Sequence, residues 1–167
     1  MDNKGTIYAF DVYEHKIKLI NDNAKRLGID ICKATLQDSS VLNEEYIEKA
    51  DCVLVDAPCS GLGIIGRKPD IKYQRRVTDI HQLAELSFKI LSSAARYVKP
   101  GGTLVFSTCT IERTENEEVV NKFIEKFGDE FYFERINEID KENNGYLTLY
   151  PNTDGTDGFF ICKLKKR

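Results

Sequence analysis

Cys52-Val53-Leu54-Val55-Asp56-Ala57-Pro58-Cys59-Ser60-Gly61 is the stretch on which the fold turns. Its first four residues are a continuous apolar run ending at Asp56, the pattern of a central parallel strand buried on both faces. Pro58 and Gly61 then mark a turn, so Asp56, Cys59 and Ser60 belong to the carboxyl end of that strand.

Working outward, strand-like and helix-like patterns alternate. Upstream, Thr6 to Phe10 is rich in β-formers and runs into Asp11, after which Ile17, Ile20, Ala24 and Leu27 recur at helical spacing until Gly28. A short strand over Asp30 to Ala34 precedes Asp38. Downstream, Ile80, Leu83, Ser87, Ile90, Ala94 and Val98 trace a helix face from about Val77 to Tyr97, closed by Lys99-Pro100-Gly101-Gly102. Thr103 to Ser107 is a β-run entering Thr108-Cys109-Thr110. Thr114-Glu115-Asn116-Glu117 has the form of a capping box, followed by Val120, Phe123, Ile124 and Phe127 on one helical stripe. Two last β-runs, Phe131 to Ile136 and Gly158 to Leu164, flank a polar segment containing Asn143-Asn144-Gly145. The alternation predicts an α/β fold with a mostly parallel sheet, right-handed crossovers and helices on both faces, binding ligands outside the carboxyl ends of its strands. Asp11, Asp56 and Cys109 each end a predicted strand and Asp38 follows one closely, so all four are expected on one rim.

At 167 residues and 41% hydrophobic content, with no repeat or linker, the chain is expected to be a single domain. A net charge of -3 excludes a polybasic nucleic-acid arm and names no partner. No apolar run approaches a membrane span and the first residues are polar, so a cytoplasmic protein is expected.

The five cysteines, at 32, 52, 59, 109 and 162, include no C-x-x-C pair, which argues against a disulfide framework or a metal site. Cys32, Cys52 and Cys162 have apolar β-neighbours and read as buried, inert thiols. Cys59 and Cys109 lie in turn-like polar sequence at strand ends. Two thiols facing one cleft beside Asp56 suit covalent chemistry on an electrophilic ring, in which a thiolate adds and is later expelled. Neither His15 nor His81 has a spacing that pairs it with a cysteine, so a Cys-His hydrolase is disfavoured. Asp11 reads equally as an acceptor for ribose hydroxyls or as a helix cap, and Asp38 also suits a loop. Gly61-Leu62-Gly63-Ile64-Ile65-Gly66 matches a dinucleotide fingerprint, which keeps a nicotinamide-dependent enzyme as an alternative, but Pro69 disfavours the helix that fingerprint needs. A glycine-rich loop is expected there instead. It carries Arg67, Lys68, Lys72, Arg75 and Arg76, whose natural use is phosphate contact and whose plainer reading is a solvated charged loop.

Several long motifs, in order along the chain, resemble one family. Asp-Ala-Pro-Cys-Ser-Gly-Leu-Gly at 56–63, Arg-Lys-Pro-Asp at 67–70, Pro-Gly-Gly-Thr-Leu-Val-Phe-Ser-Thr-Cys-Thr at 100–110, Glu-Asn-Glu-Glu at 115–118 and Asp-Gly-Phe-Phe at 157–160 are similar to those of the Sun/Fmu (RsmB-like) RNA cytosine-5 methyltransferases. The resemblance implies a Rossmann-like class I methyltransferase sheet, S-adenosylmethionine as cofactor, and RNA, ribosomal RNA above all, as substrate. It makes Cys109 the nucleophile at C6 of the target cytosine and Cys59 the residue that assists release of the enzyme. Asp56 would hydrogen-bond the cytosine near N3 and border the cofactor, Asp11 would hold the ribose hydroxyls, and Asp38 would lie at the adenine end. The target base must be extruded or already unpaired. The family's central first strand, with a Pro-Gly-Gly-Lys-type cofactor loop, falls just before residue 1. Residues 1–167 are accordingly expected to be an N-terminally truncated methyltransferase domain, separated from an N-terminal RNA-binding region of its parent. The alternative to an active enzyme is a catalytically inactive RNA-binding fragment.

Overall fold

In the computed structural model, which describes residues 1–139 and 141–167, the 52–55 run lies within strand β3 (Ala50–Asp56), paired in parallel with β4 (Val98–Thr108). By its internal contacts the chain divides into two units, Met1–Val41 and Leu42–Arg167.

The first unit is a βαβ element. Strands β1 (Ile7–Asp11) and β2 (Cys32–Leu36) pair in parallel from Ile7 opposite Cys32 to Asp11 opposite Leu36, and helix α1 (Glu14–Arg26) connects them. Gly28, at φ +65°, supplies the left-handed residue that ends the helix. No residue of these three elements is fully buried.

The second unit holds a mixed five-stranded sheet in the order β3-β4-β7-β5, where β5 is Phe131–Phe133 and β7 is Phe159–Lys166; β6 (Tyr146–Leu149) also pairs with β7. β7 is antiparallel to β4, β5 and β6. Helices α3 (Val77–Ala95) and α4 (Glu117–Phe127) pack on one face of this sheet. There Leu91, Ala94, Val120 and Phe123 meet Leu104, Phe106, Phe160, Cys162 and Leu164 in one apolar cluster. Phe106 and Phe160 pack edge to face, with ring centroids 6.2 Å apart. Short helices α2 (Ile71–Gln74) and α5 (Pro151–Asp154) complete the unit. Among the described residues no helix is long and apolar enough to cross a membrane.

Four expectations are corrected. Within the second unit both long helices cover the same sheet face, so β3 is not buried on both sides: Val55 points into the core while Leu54, next along the strand, is 66% exposed. Cys52 shares the Leu54 side by the two-residue alternation of a strand, and it is exposed rather than buried; Cys32 is half-buried, and Cys162 alone of the three is enclosed. The capping box at Thr114 does not form. α4 starts at Glu117 behind Asn116, which makes no side-chain cap bond, because the Glu115 and Asn116 side chains turn inward instead. The polar segment between the last two predicted strands contains β6, entered through Gly145 at φ +103°.

Candidate active site

Because β3 and β4 are parallel neighbours, both carboxyl ends reach the same edge of the sheet. Asp56 stands opposite Ser107, whose hydroxyl donates to Asp56 Oδ1 at 3.3 Å, and the Ala57 N–H donates to the Ser107 carbonyl at 2.9 Å, carrying the pairing one residue into the turn. The two chains then diverge into loops bearing Cys59 and Cys109. Their sulfurs lie 3.3 Å apart, both half-buried, with Asp56 exposed beside them.

At that separation the sulfurs share a hydrogen bond, and one proton between two thiols is held by the more enclosed one. Donation from Cys59 holds the Cys109 thiol down at about 7, against the opposing effects of burial and of the negative charges of Asp56 and Glu115. The same bond, with burial, pushes the Cys59 thiol up. Cys109 is therefore the more acidic of the pair: as pH rises through about 7 it becomes a thiolate while Cys59 keeps its proton. Iodoacetamide labelling read by peptide mass is expected to modify Cys109 with a midpoint near pH 7 and to leave Cys59 unmodified. A short cysteine-containing peptide labelled alongside serves as the reference for an ordinary thiol, and a Cys109 profile coincident with that of the peptide would contradict the assignment.

A buried polar frame holds the two loops. Glu115, 1% exposed, accepts from the Ser60 N–H at 2.6 Å and from the Ser60 hydroxyl at 2.5 Å, and the Ser60 and Thr110 hydroxyls are 3.0 Å apart. Asn116, with no exposed surface, accepts from the Thr108 hydroxyl at 2.6 Å and donates to the Thr110 carbonyl at 2.9 Å, bracketing Cys109 on both sides. On the other loop, the Ser87 hydroxyl on α3 donates to the Pro58 carbonyl at 2.8 Å, and Arg75 Nε donates to the Ser60 carbonyl at 3.0 Å. Sequence reading missed Glu115, Asn116 and Ser60 as site residues. The available signal was a Glu-Asn pair placed before a helical stripe whose periodicity does not require it.

Of the five basic residues, Arg67, Lys68, Lys72, Arg75 and Arg76 are all exposed. Arg67 pairs with Asp157 at 2.8 Å, Lys72 lies 4.7 Å from the Tyr73 ring centroid, and Arg75 is the one bonded to the Cys59 loop. Asp11 and Asp38 belong to the first unit. Asp11 Oδ1 accepts from the Tyr13 N–H at 2.9 Å, and Asp38 Oδ1 accepts from the Ser40 hydroxyl at 2.7 Å and N–H at 2.8 Å, bonds that hold its carboxyl below the usual range.

The glycine run does not open an α-helix. Gly61, at φ +75°, leads a single 3-10 turn over Leu62–Ile64. Gly63 donates to the Cys109 carbonyl at 3.0 Å and accepts from the Gly158 N–H at 2.8 Å. Its backbone is used against other backbone rather than facing a pyrophosphate, so the dinucleotide reading lacks the helix N-terminus it needs.

A family profile described as 16S rRNA methyltransferase RsmB/F matches residues 1–165. The chain is 44% identical to the probable ribosomal RNA small subunit methyltransferase B of Bacillus subtilis, over all of this chain and 39% of that protein. It is 33% identical to ribosomal RNA small subunit methyltransferase F of Shewanella sp. strain MR-4, over 99% of this chain and 36% of that protein. Among solved structures it is similar to NSun6 from Pyrococcus horikoshii with SFG, at a TM-score of 0.86 and 34% identity, over 99% of this chain and 42% of that one. The chain thus spans about two fifths of the length of the curated relatives it matches.

Proposed function

This chain belongs to the RsmB/F family of 16S rRNA methyltransferases, and from that premise we propose that it carries the catalytic cysteines of an enzyme that methylates C5 of a cytosine in ribosomal RNA. The observation that carries the reading is the 3.3 Å approach of two sulfurs of unequal acidity beside Asp56. Cytosine C5 is a poor nucleophile until a nucleophile adds next to it. The Cys109 thiolate adds to C6, forming the S–C6 bond and moving the C5=C6 electron pair toward C5 and the N3 side of the ring. N3 takes a proton from water as that density collects, and the Asp56 carboxylate accepts a hydrogen bond from the N3–H. C5 then takes a methyl group. Water takes the C5 proton, the C5–H electron pair re-forms the C5=C6 double bond, the S–C6 pair leaves with Cys109, and N3 returns its proton to water, which restores the aromatic ring and the Cys109 thiolate. Cys59, which holds a proton against the leaving sulfur, assists that release.

S-adenosylmethionine, when bound, supplies the methyl group as a sulfonium electrophile; NSun6 from Pyrococcus horikoshii was solved with its analogue SFG. The acidic residues fit the nucleoside part of such a group. Asp11 ends β1 and Asp38 follows β2, and the Asp38 carboxyl, held charged by Ser40, is an acceptor for hydroxyl or amino donors. Asp11 is assigned to the ribose hydroxyls and Asp38 to the adenine end. Residues 1–167 are read as part of one methyltransferase domain. Arg67, Lys68, Lys72, Arg75 and Arg76 are assigned to RNA phosphates, supported by their exposure and by the tie from Arg75 to the loop of Cys59.

The test uses the full-length protein with unmethylated small-subunit RNA and S-adenosylmethionine. Cys59→Ala should accumulate a covalent protein–RNA band on a denaturing gel, because release fails after addition. Cys109→Ala should give no band and no methyl transfer. Equal bands from both variants would overturn the assignment.

A further inference from the structure

The polar frame behind the cysteines is more specific than loop anchoring requires. Two adjacent residues, both without appreciable exposure, each grip a different loop. Asn116 uses its acceptor on the Thr108 hydroxyl and its donor on the Thr110 carbonyl, so its amide plane is fixed and the residue between those two, Cys109, is fixed with it. Glu115 uses both carboxyl oxygens on Ser60, the residue after Cys59. The Ser60 and Thr110 hydroxyls close the frame at 3.0 Å. A buried carboxylate is costly unless its oxygens are satisfied, and here the partners that satisfy it are the ones that carry the second sulfur.

We propose that Glu115 and Asn116 form the positioning pair of the site, Asn116 fixing the segment that bears Cys109, Glu115 fixing the turn that bears Cys59, and the peptide bond between them setting the distance between the sulfurs. The inference rests on the reading of Cys109 as nucleophile, but its consequence is a property of the thiols that needs no RNA. The charged and titratable groups facing Cys109 are Cys59 and Asp56 from the β3 side and Glu115 from the side of α4, with Arg75 reaching the Ser60 carbonyl behind Cys59. Donation from Cys59 favours the Cys109 thiolate, whereas the charges of Asp56 and Glu115 oppose it. Asn116 therefore acts through the Cys59 hydrogen bond. Glu115 acts in two ways, as a clamp and as a nearby negative charge.

The experiment is the pH profile of iodoacetamide labelling at Cys109, read by peptide mass in folded protein, with circular dichroism as the check on folding. Asn116→Ala should let the sulfurs separate and raise the Cys109 midpoint by about one pH unit or more, toward the ordinary thiol value. Cys59→Ala, which removes the donor itself, should raise it similarly. The double variant should go no higher than either single one, because both act on one interaction. Glu115→Ala and Glu115→Gln both remove the charge, but only Gln keeps an acceptor for the Ser60 N–H, so the midpoint of Glu115→Ala should lie above that of Glu115→Gln, which should not exceed the parent's. An unmoved midpoint in folded Asn116→Ala, an additive double variant, or an upward shift in Glu115→Gln would overturn the proposal. Where Asn116→Ala does not fold, the contrast decides: a higher midpoint in Glu115→Ala than in Glu115→Gln supports the proposal, and equal midpoints in the two overturn it. Absence of an RNA adduct at Cys109 with the expected thiol profiles would remove the nucleophile reading and leave the positioning pair standing.

Discussion

Gly63→Ala is expected to destabilise the second unit by about 3 kcal/mol or more and to disturb Cys109 at the same time. A Cβ at this position would lie 2.1 Å from the Gly158 carbonyl oxygen and 2.8 Å from the Cys109 carbonyl oxygen. Both obstacles are backbone, so no rotamer change relieves them. Ordinary overpacking costs roughly 1–3 kcal/mol, and a collision that must move two chain segments lies at the upper end of that range or above it. The Gly63 N–H bond to the Cys109 carbonyl and the Gly158 N–H bond to the Gly63 carbonyl strain together. Urea unfolding should show a lower midpoint at unchanged slope, and labelling of Cys109 should lose its midpoint near pH 7. A variant within about 0.5 kcal/mol of the parent, the range of an unremarkable surface change, would show that this crossing is looser than described.

Phe160→Ala is expected to cost about 3–5 kcal/mol, the usual range for removing a fully buried aromatic ring. Phe160 has no exposed surface and meets Phe106 across the sheet and Tyr146 on β6 at 5.9 Å between centroids. Its strand is central, and its residue pairs with Thr108, immediately before Cys109. A loss of that size is a large fraction of the roughly 5–15 kcal/mol that holds a typical domain folded. Tyr132→Ala, at a β5 residue that is 41% exposed, is the comparison and should cost much less. Similar unfolding midpoints for the two variants would contradict the core assignment.

The convergence of the two thiols was legible because it follows from chain direction. Two strands that pair in parallel bring their carboxyl ends together, and Cys59 and Cys109 sit two to three residues beyond the Asp56–Ser107 pair. Which cysteine to propose as the nucleophile came only from family resemblance, since spacing treats the two alike. The difference lies in enclosure and in the direction of one hydrogen bond. The Glu115–Asn116 frame was hidden for another reason. Glu115 bonds a residue 55 positions away, and periodicity reads local spacing, so a polar pair before an apolar stripe looked like a helix cap. The exposed side of β3 was misjudged because a run of apolar residues reports hydrophobicity without saying which neighbours cover it. β6 was missed because its four residues follow a polar stretch and pair with a strand that comes later in the chain.

β7 has a consequence for how the protein is made. It pairs with β4, β5 and β6, and the glycine just before it bonds the loop that steadies Cys109. On the ribosome, residues 50–109 can emerge with both thiols and all of α3, yet the sheet lacks its middle until β7 has been synthesised. The loop of Cys109 is therefore braced only after a segment well downstream of it has been translated. A nascent chain stalled before residue 158 carries both cysteines without the crossing that braces them.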